Sequence, residues 1–384
     1  MQLIYLDNNA TTMVAPEVKA AMLPWLEQHY GNPSSAYSFA RSVSEAIEQA
    51  RSQVASLIGA KPSEIVFTSC GTESDNTAIA SALSANPMKK HIITTMVEHP
   101  AVFKYCALME TRGYKVSYLP VDSFGRLNVN DLHAVISPID TALVSVMFAN
   151  NETGVLFPIK DIGRLLRGQG IIFHSDAVQA AGKIPINVKE LNLDMLSLSG
   201  HKLHAPKGIG ALYVREGLPY QPLIIGGHQE NGRRAGTENV ASIVGLGVAC
   251  QLAERLISEE AAYLAKLRNK IEDVLLRDCP GNMVNGDRDN RLPNTTNLSF
   301  EYVDGEAILM MLDMQNICVS TGSACSSGSS EPSRILSAMN VPPTAIHGSL
   351  RLSLSRYNTE SEIDTALNAI TTVVKKLRAI SPFV

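Results

Sequence analysis

Long apolar runs, clustered cysteines and blocks of like charge are all missing from this 384-residue chain. No stretch approaches the roughly 18 uninterrupted apolar residues of a membrane span, so no bilayer helix is expected. Thirty-three basic residues face 37 acidic ones for a net charge of −4, and basic blocks end at pairs such as Arg233-Arg234 and Lys375-Lys376. That pattern offers no electrostatic footprint to nucleic acid or an anionic membrane. The opening Met1-Gln-Leu-Ile-Tyr-Leu-Asp7 has neither a basic n-region nor a long apolar stretch, which points to a cytoplasmic protein. Six cysteines (Cys70, Cys106, Cys250, Cys279, Cys318, Cys325) are scattered, with no C-x-x-C and no Cys/His pair at zinc spacing, so neither a disulfide framework nor a zinc site is expected. Walker A and G-x-G-x-x-G are absent too, which removes the usual support for nucleoside triphosphate or dinucleotide binding.

What is present is a chain that is 45% hydrophobic, long enough for a large core and about two domains. Between residues 60 and 215, apolar or β-branched runs alternate with helical patterns: Ile65 to Thr68, Ile92 to Thr95, Lys115 to Pro120, Ala142 to Phe148, Ile171 to His174, Met195 to Ser199 and Ile209 to Val214. This rhythm predicts an α/β fold with a mostly parallel central sheet. It stops near Gly217. A nearly continuous helix from Glu238 to about Arg277 then leads into a smaller α+β unit, with strands at Asn297 to Phe300 and Ser349 to Ser353 and a helix from Gly305 to Met314. A last helix opens on the capping box Thr359-x-x-Glu362.

Lys202, in Ser199-Gly-His-Lys202, lies downstream of His174-Ser-Asp-Ala-Val-Gln179, and the pair reads as a pyridoxal phosphate site. An imine needs a lysine amine among polar groups at a strand end, and the electron sink needs an acid at the pyridinium nitrogen, which Asp176 can supply. Gln179, three residues on, can aim an amide at a neighbouring phenolate oxygen. After the strand at Ile65 to Thr68, Gly71 and Thr72 open a helix whose free N–H groups suit a phosphate, with Ser199, Gly200 and His201 as further candidates. His99 and Asn151 sit at other strand ends, the edge where an open α/β sheet binds ligands. Each residue alone has a structural alternative: a Gly-Thr turn or Asp176 as an ordinary helix cap, His99 as a packing histidine. Their convergence on one edge is the argument.

Tyr5-Leu-Asp-Asn-Asn-Ala-Thr-Thr12, Tyr30-Gly-Asn-Pro-Ser-Ser35, Asn150-Asn-Glu-Thr-Gly154, Ser199-Gly-His-Lys202, Gly232-Arg-Arg-Ala-Gly-Thr-Glu-Asn239 and Gly322-Ser-Ala-Cys325 resemble the cysteine desulfurases, closest to the nitrogenase-associated, NifS-like branch, in order over essentially the whole chain. The resemblance implies an aspartate-aminotransferase-like (fold type I) pyridoxal phosphate enzyme acting as a homodimer. It implies a large cofactor-binding domain over 17–258 and a small domain of 1–16 plus 259–384 that carries the cysteine loop 320–333. Lys202 would be the Schiff-base lysine, Asp176 the partner of the pyridinium nitrogen, Gln179 that of the phenolate oxygen, and His99 the stacking residue. Thr72, Ser199 and His201 would bind phosphate, with Thr237 reaching across from the second subunit. Arg351, assisted by Asn151, would hold the substrate carboxylate.

Cys325 separates this reading from a transaminase, which has no use for a cysteine in the Ser/Gly-rich run Ser320 to Ser330, whose composition suits a flexible segment. From the residues alone it could be a nucleophile, a disulfide partner of Cys318 or an idle thiol. The resemblance makes it the nucleophile that takes sulfur from L-cysteine, leaving L-alanine and a persulfide bound for iron–sulfur cluster assembly through a scaffold protein, and leaves open whether it transiently ligates a cluster. Rival readings are an aminotransferase or selenocysteine lyase on the same frame, or a catalytically silent assembly scaffold.

Overall fold

Seven short runs make one sheet because most are buried along their whole length, as parallel strands covered on both faces must be. The computed structural model describes residues 3–321 and 332–381. Strand β1 (Ile4–Tyr5) and helices α1 (Pro16–Glu27) and α2 (Ser38–Ile58) come first. The alternating region follows: β2 (Ile65–Thr68), α3 (Gly71–Ala85), β3 (His91–Thr95), α4 (Pro100–Thr111), β4 (Lys115–Leu119), α5 (Val129–Val135), β5 (Thr141–Ser145), α6 (Ile159–Leu166), β6 (Ile172–Asp176), β7 (Met195–Ser199) and β8 (Gly210–Val214). The sheet order is β2-β8-β7-β6-β5-β3-β4. Strands β4, β3, β5, β6 and β7 run parallel, whereas β8 is antiparallel to both β7 and β2. Strand β2 therefore points the same way as β7, and six strands present their carboxyl ends on one edge.

Helix α7 (Val240–Asp278) opens on an Asn239 cap that accepts from the Ser242 N–H. Beyond it lie β9 (Asn282–Val284), β10 (Thr295–Phe300), α8 (Gly305–Asp313), β11 (Ile317–Cys318), α9 (Arg334–Ala338), α10 (Pro343–Ile346), β12 (Ser349–Ser353) and α11 (Glu360–Ile380). Strand β10 pairs antiparallel with β12 and β9, and β1 pairs parallel with β11. The first half of α7 (Ile243, Leu246, Ala249, Cys250, Leu252, Ala253) packs into the large core under the sheet. Its second half (Leu264, Leu267, Ile271, Leu275) packs into a second core with β1, β10, β12 and α11. One 18-residue window of α7 is apolar enough to cross a membrane, but 61% of that window is buried against the rest of the protein. Its amphipathic partner α11 carries the expected capping box, Thr359 Oγ1 accepting from Glu362 N–H and Glu362 Oε2 from Thr359 N–H.

The strands expected from sequence all form, with ends shifted by up to three residues. Strand β11 ends at Cys318, although Ser320 still bridges to Arg351. The short elements β1, β9, α9 and α10 escape the sequence reading because two to five residues carry too little periodicity.

Candidate active site

Five of the six strand ends on the common edge, all but that of β4, deliver functional residues. Asp176 is the last residue of β6, Ser199 the last of β7, Asn151 follows β5, His99 caps α4 after β3, and Gly71 and Thr72 start α3 after β2. They line a cavity of about 320 Å³ together with Gln179, His201, Lys202 and Arg351. Gly200 stands behind its wall: a Cβ there would meet Ile209 Cγ2 at 2.7 Å, so only glycine lets the lysine turn lie this close to β8. Thr237 lies elsewhere, in a second hollow of about 220 Å³ shared with Gly208, Ile209 and Arg234. Cys325 lies outside the described residues. The chain leaves them at Thr321, just after Ser320 exchanges backbone hydrogen bonds with Arg351, and re-enters at Pro332, beside Ser333, whose hydroxyl donates to Glu152 Oε2 at 2.6 Å.

Lys202 follows Gly200 in a tight 3₁₀ turn and donates from Nζ to the carbonyls of Asn9 (2.5 Å) and Ala10 (2.7 Å). The same Asn9 carbonyl accepts from Gln179 Nε2 at 3.0 Å, and Lys183 Nζ donates to Gln179 Oε1 at 3.0 Å. Enclosure, reinforced by the charges of Lys202 and Arg351, pushes the Lys183 ammonium down to about 7. Thr12 closes the arrangement by donating its N–H to the His201 carbonyl (2.9 Å) and accepting the His204 N–H at Oγ1 (2.9 Å), which holds His204 at a φ of 65°. The polar run Asp7–Thr12 is thus a floor for the lysine turn. Its signal in the sequence is five polar residues after an apolar strand, but nothing local says which distant segment they meet.

Charge in the cavity is arranged around burial. Asp176 is 5% exposed, with Oδ1 accepting the Val178 N–H at 2.9 Å, and burial pushes its carboxyl above the usual range against the pull of His99 and Lys202. His99 accepts the Ala101 N–H at Nδ1, so it serves as the helix cap and, when neutral, carries its proton on Nε2. Burial holds its basicity below normal and drives His201 down to about 4. Arg351 is 4% exposed, its guanidinium pairing with Asp7 Oδ1 (2.6 Å) and the Asn151 carbonyl (3.1 Å).

The residues fit a pyridoxal phosphate. Ser199 Oγ, Asn151 Oδ1 and Arg351 Nε are buried polar atoms without a hydrogen-bond partner among the described residues, and all three belong to side chains around this cavity. Orphans of this kind are costly unless a polar ligand satisfies them. At the start of α3, a Cβ on Gly71 would meet Val178 Cγ2 at 2.7 Å and Ser199 Cβ at 3.2 Å, so the bare backbone leaves an anion cradle at a helix N-terminus. Asp75 and Asn9, which also line the cavity, were not legible as site residues.

Comparison with known proteins agrees with this geometry. The family model described as aminotransferase class-V matches residues 4–366. A cysteine desulfurase of a Nostoc species is 56% identical over 383 residues, covering 100% of this chain and 96% of that protein. The cysteine desulfurase NifS of Azotobacter vinelandii is 54% identical over 381 residues, covering 99% and 94%. Among solved structures, a NifS-like protein superposes with a TM-score of 0.92 at 39% identity over 98% of this chain and 100% of that one.

Proposed function

From the premise that the chain belongs to the class-V aminotransferase family and, within it, to the cysteine desulfurases, we propose how its own residues carry out that reaction. The cofactor is pyridoxal phosphate. When bound, it supplies a carbonyl that condenses with amines and a ring that accepts the electron pair released at the substrate's α-carbon. Thr72, Ser199 and His201, with the N–H groups at Gly71, would hold the phosphate, and Asp176 would keep the ring nitrogen protonated where low dielectric strengthens the charge pair. Gln179, oriented by Lys183, would donate to the phenolate oxygen, and His99 would cover the ring face. Arg351, whose Nε has no partner among the described residues, would bind the carboxylate of L-cysteine with Asn151 beside it. Lys202, or His99, would take the α-proton and return it.

Cys325 as thiolate would attack the sulfur of L-cysteine. A new S–S bond forms and the C–S bond breaks, its electron pair staying with the carbon, which gains a proton and leaves as the methyl group of L-alanine. The observation that carries the reading is the convergence of Lys202, Asp176, His99, Ser199 and Arg351, from four separate segments, on one cavity. The ends flanking Cys325 support its part, since Ser320 bonds to Arg351 and Ser333 to Glu152 at the rim. An exposed Thr237 suits completion of the phosphate site by a second copy, hence a homodimer. The second core, built from β1, the second half of α7, β10, β12 and α11, supports a small domain, proposed as 1–16 plus 259–384 beside a large one over 17–258. Ala15, Leu292, Ile335, Leu336, Met339 and Ile346 reach from the small domain into the larger core. A cytoplasmic enzyme handing its persulfide sulfur to an iron–sulfur scaffold completes the proposal.

The test compares wild type with Cys325→Ala. The variant should retain bound cofactor and lose cysteine-dependent alanine formation by more than about a hundredfold. Unchanged turnover, or alanine without sulfane sulfur, would sink the mechanism and favour one of the related lyase or aminotransferase reactions.

A further inference from the structure

A second carboxylate lies beside Asp176 and has no part in the reaction just described. Asp75 sits one turn into α3, 1% exposed, in the wall of the cavity. Oxygens of Asp75 and Asp176 and a ring nitrogen of His99 all lie within 4.8 Å of one another. Besides His99, the groups facing Asp75 among the described residues come from the strands and helices packed on α3. From β6 comes His174, whose Nε2 is 3.6 Å from Asp75 Oδ1 but whose imidazole is bracketed by Ser145 Oγ (2.9 Å) and Ser197 Oγ (2.9 Å). Complete burial drives His174 down to about 3, so it brings no positive charge. From β7 comes the neutral Ser197 hydroxyl, from the residues before α4 the buried acid Glu98, from the turn before α3 the Cys70 thiol, and from the end of β6 Asp176 itself. None of the groups just named carries a positive charge, and burial followed by the charge of Asp176 pushes the Asp75 carboxyl well above the ordinary range.

Two carboxylates this close in a dry wall do not both ionise. Asp176 closes β6 on the common edge, where the ring nitrogen of a bound cofactor would stand, whereas Asp75 is carried on α3. We propose that Asp75 is a positioning residue that remains a neutral carboxylic acid in the holoenzyme, so that the single negative charge of the pair stays on Asp176 for the pyridinium nitrogen. Its proton lies in the buried row Ser145–His174–Ser197–Asp75, none of whose members is more than 1% exposed. The inference rests on the pyridoxal phosphate reading above.

The experiment uses the holoenzyme with two readouts. In the first, the visible absorption of bound pyridoxal phosphate is followed against pH in wild type and Asp75→Asn. A neutral isostere in place of a neutral acid should leave the transition where it is, whereas replacing an ionised Asp75 would move it down by about a unit or more. In the second, the infrared spectrum of wild type carrying isotope-labelled aspartate should show a protonated-carboxyl carbonyl band that shifts with the label, which separates it from the glutamates, and that vanishes in Asp75→Asn. If Asp75→Asn does not fold, Asp75→Ser serves the same comparison. A moved absorption transition, or the absence of the labelled band in wild type, would overturn the proposal while leaving the cofactor reading intact. Failure of wild type to bind the cofactor at all would instead overturn the reading on which the proposal stands.

Discussion

Glu98 is fully buried one residue before His99, with Oε1 accepting from Thr95 Oγ1 (2.8 Å) and the Met147 N–H (2.9 Å) and Oε2 without a partner. Burial pushes its carboxyl up to about 8, so the folded protein holds a proton that the unfolded chain releases near pH 4 to 5. Between those values the native state binds more protons, and its stability therefore falls as pH rises, by up to about 1.4 kcal/mol for each unit crossed. Glu98→Gln keeps the acceptor at Oε1 and removes the ionisation. The variant should match wild type at pH 5 and exceed it at pH 9 in urea unfolding at fixed cofactor; a constant difference at both would mean that Glu98 is not protonated in the fold. At this scale the sequence yields residue types that meet at strand ends, which is why Lys202, Asp176 and His99 were legible; Arg351, in the middle of β12, was legible only through the family resemblance. Asp75, Lys183 and Asn9 were not, because each acts through a neighbour supplied by a distant segment, and a lone Asp on a helix or Lys after a glycine carries no such signal.

At the scale of elements, the opening of α3 is where helix physics and ligand chemistry coincide. Gly71 is a poor residue for a first helical position, and alanine would favour the helix by up to about 1 kcal/mol. The added Cβ would nevertheless press on Val178 and Ser199, the side chains that border the phosphate cradle. Gly71→Ala should therefore keep its far-ultraviolet circular dichroism yet bind pyridoxal phosphate at least about tenfold more weakly in an equilibrium titration, roughly 1.4 kcal/mol. Undiminished affinity would show that the cradle lies elsewhere. The long, periodic elements were readable for ordinary reasons: β2 to β8 are apolar runs bounded by turns, and α11 announces itself by its cap. What sequence order could not give is the reversed strand β8 inserted between β7 and β2, since antiparallel and parallel strands buried on both faces look alike.

For the molecule as a whole, α7 is the one continuous element shared by the two cores, with Ser258 exposed between its two buried stretches. Proline at that position would remove a backbone donor and clash with the preceding turn, at a cost of about 3 kcal/mol or more. Ser258→Pro should split calorimetric unfolding into two transitions, one for each core; a single transition at lower temperature would show that the cores remain coupled without the helix. The floor beneath Lys202 has a different consequence. Ile4 pairs with Ile317, Asn8 donates to the Ser353 carbonyl, and Thr12 binds the His201 turn, so the first dozen residues have partners some 190 to 345 positions away. Such closures are slow because nothing nearby rewards them until the rest is in place. During synthesis on the ribosome these residues emerge before all of these partners and settle last, so an amine seated on the Asn9 and Ala10 carbonyls marks a chain in which they have docked.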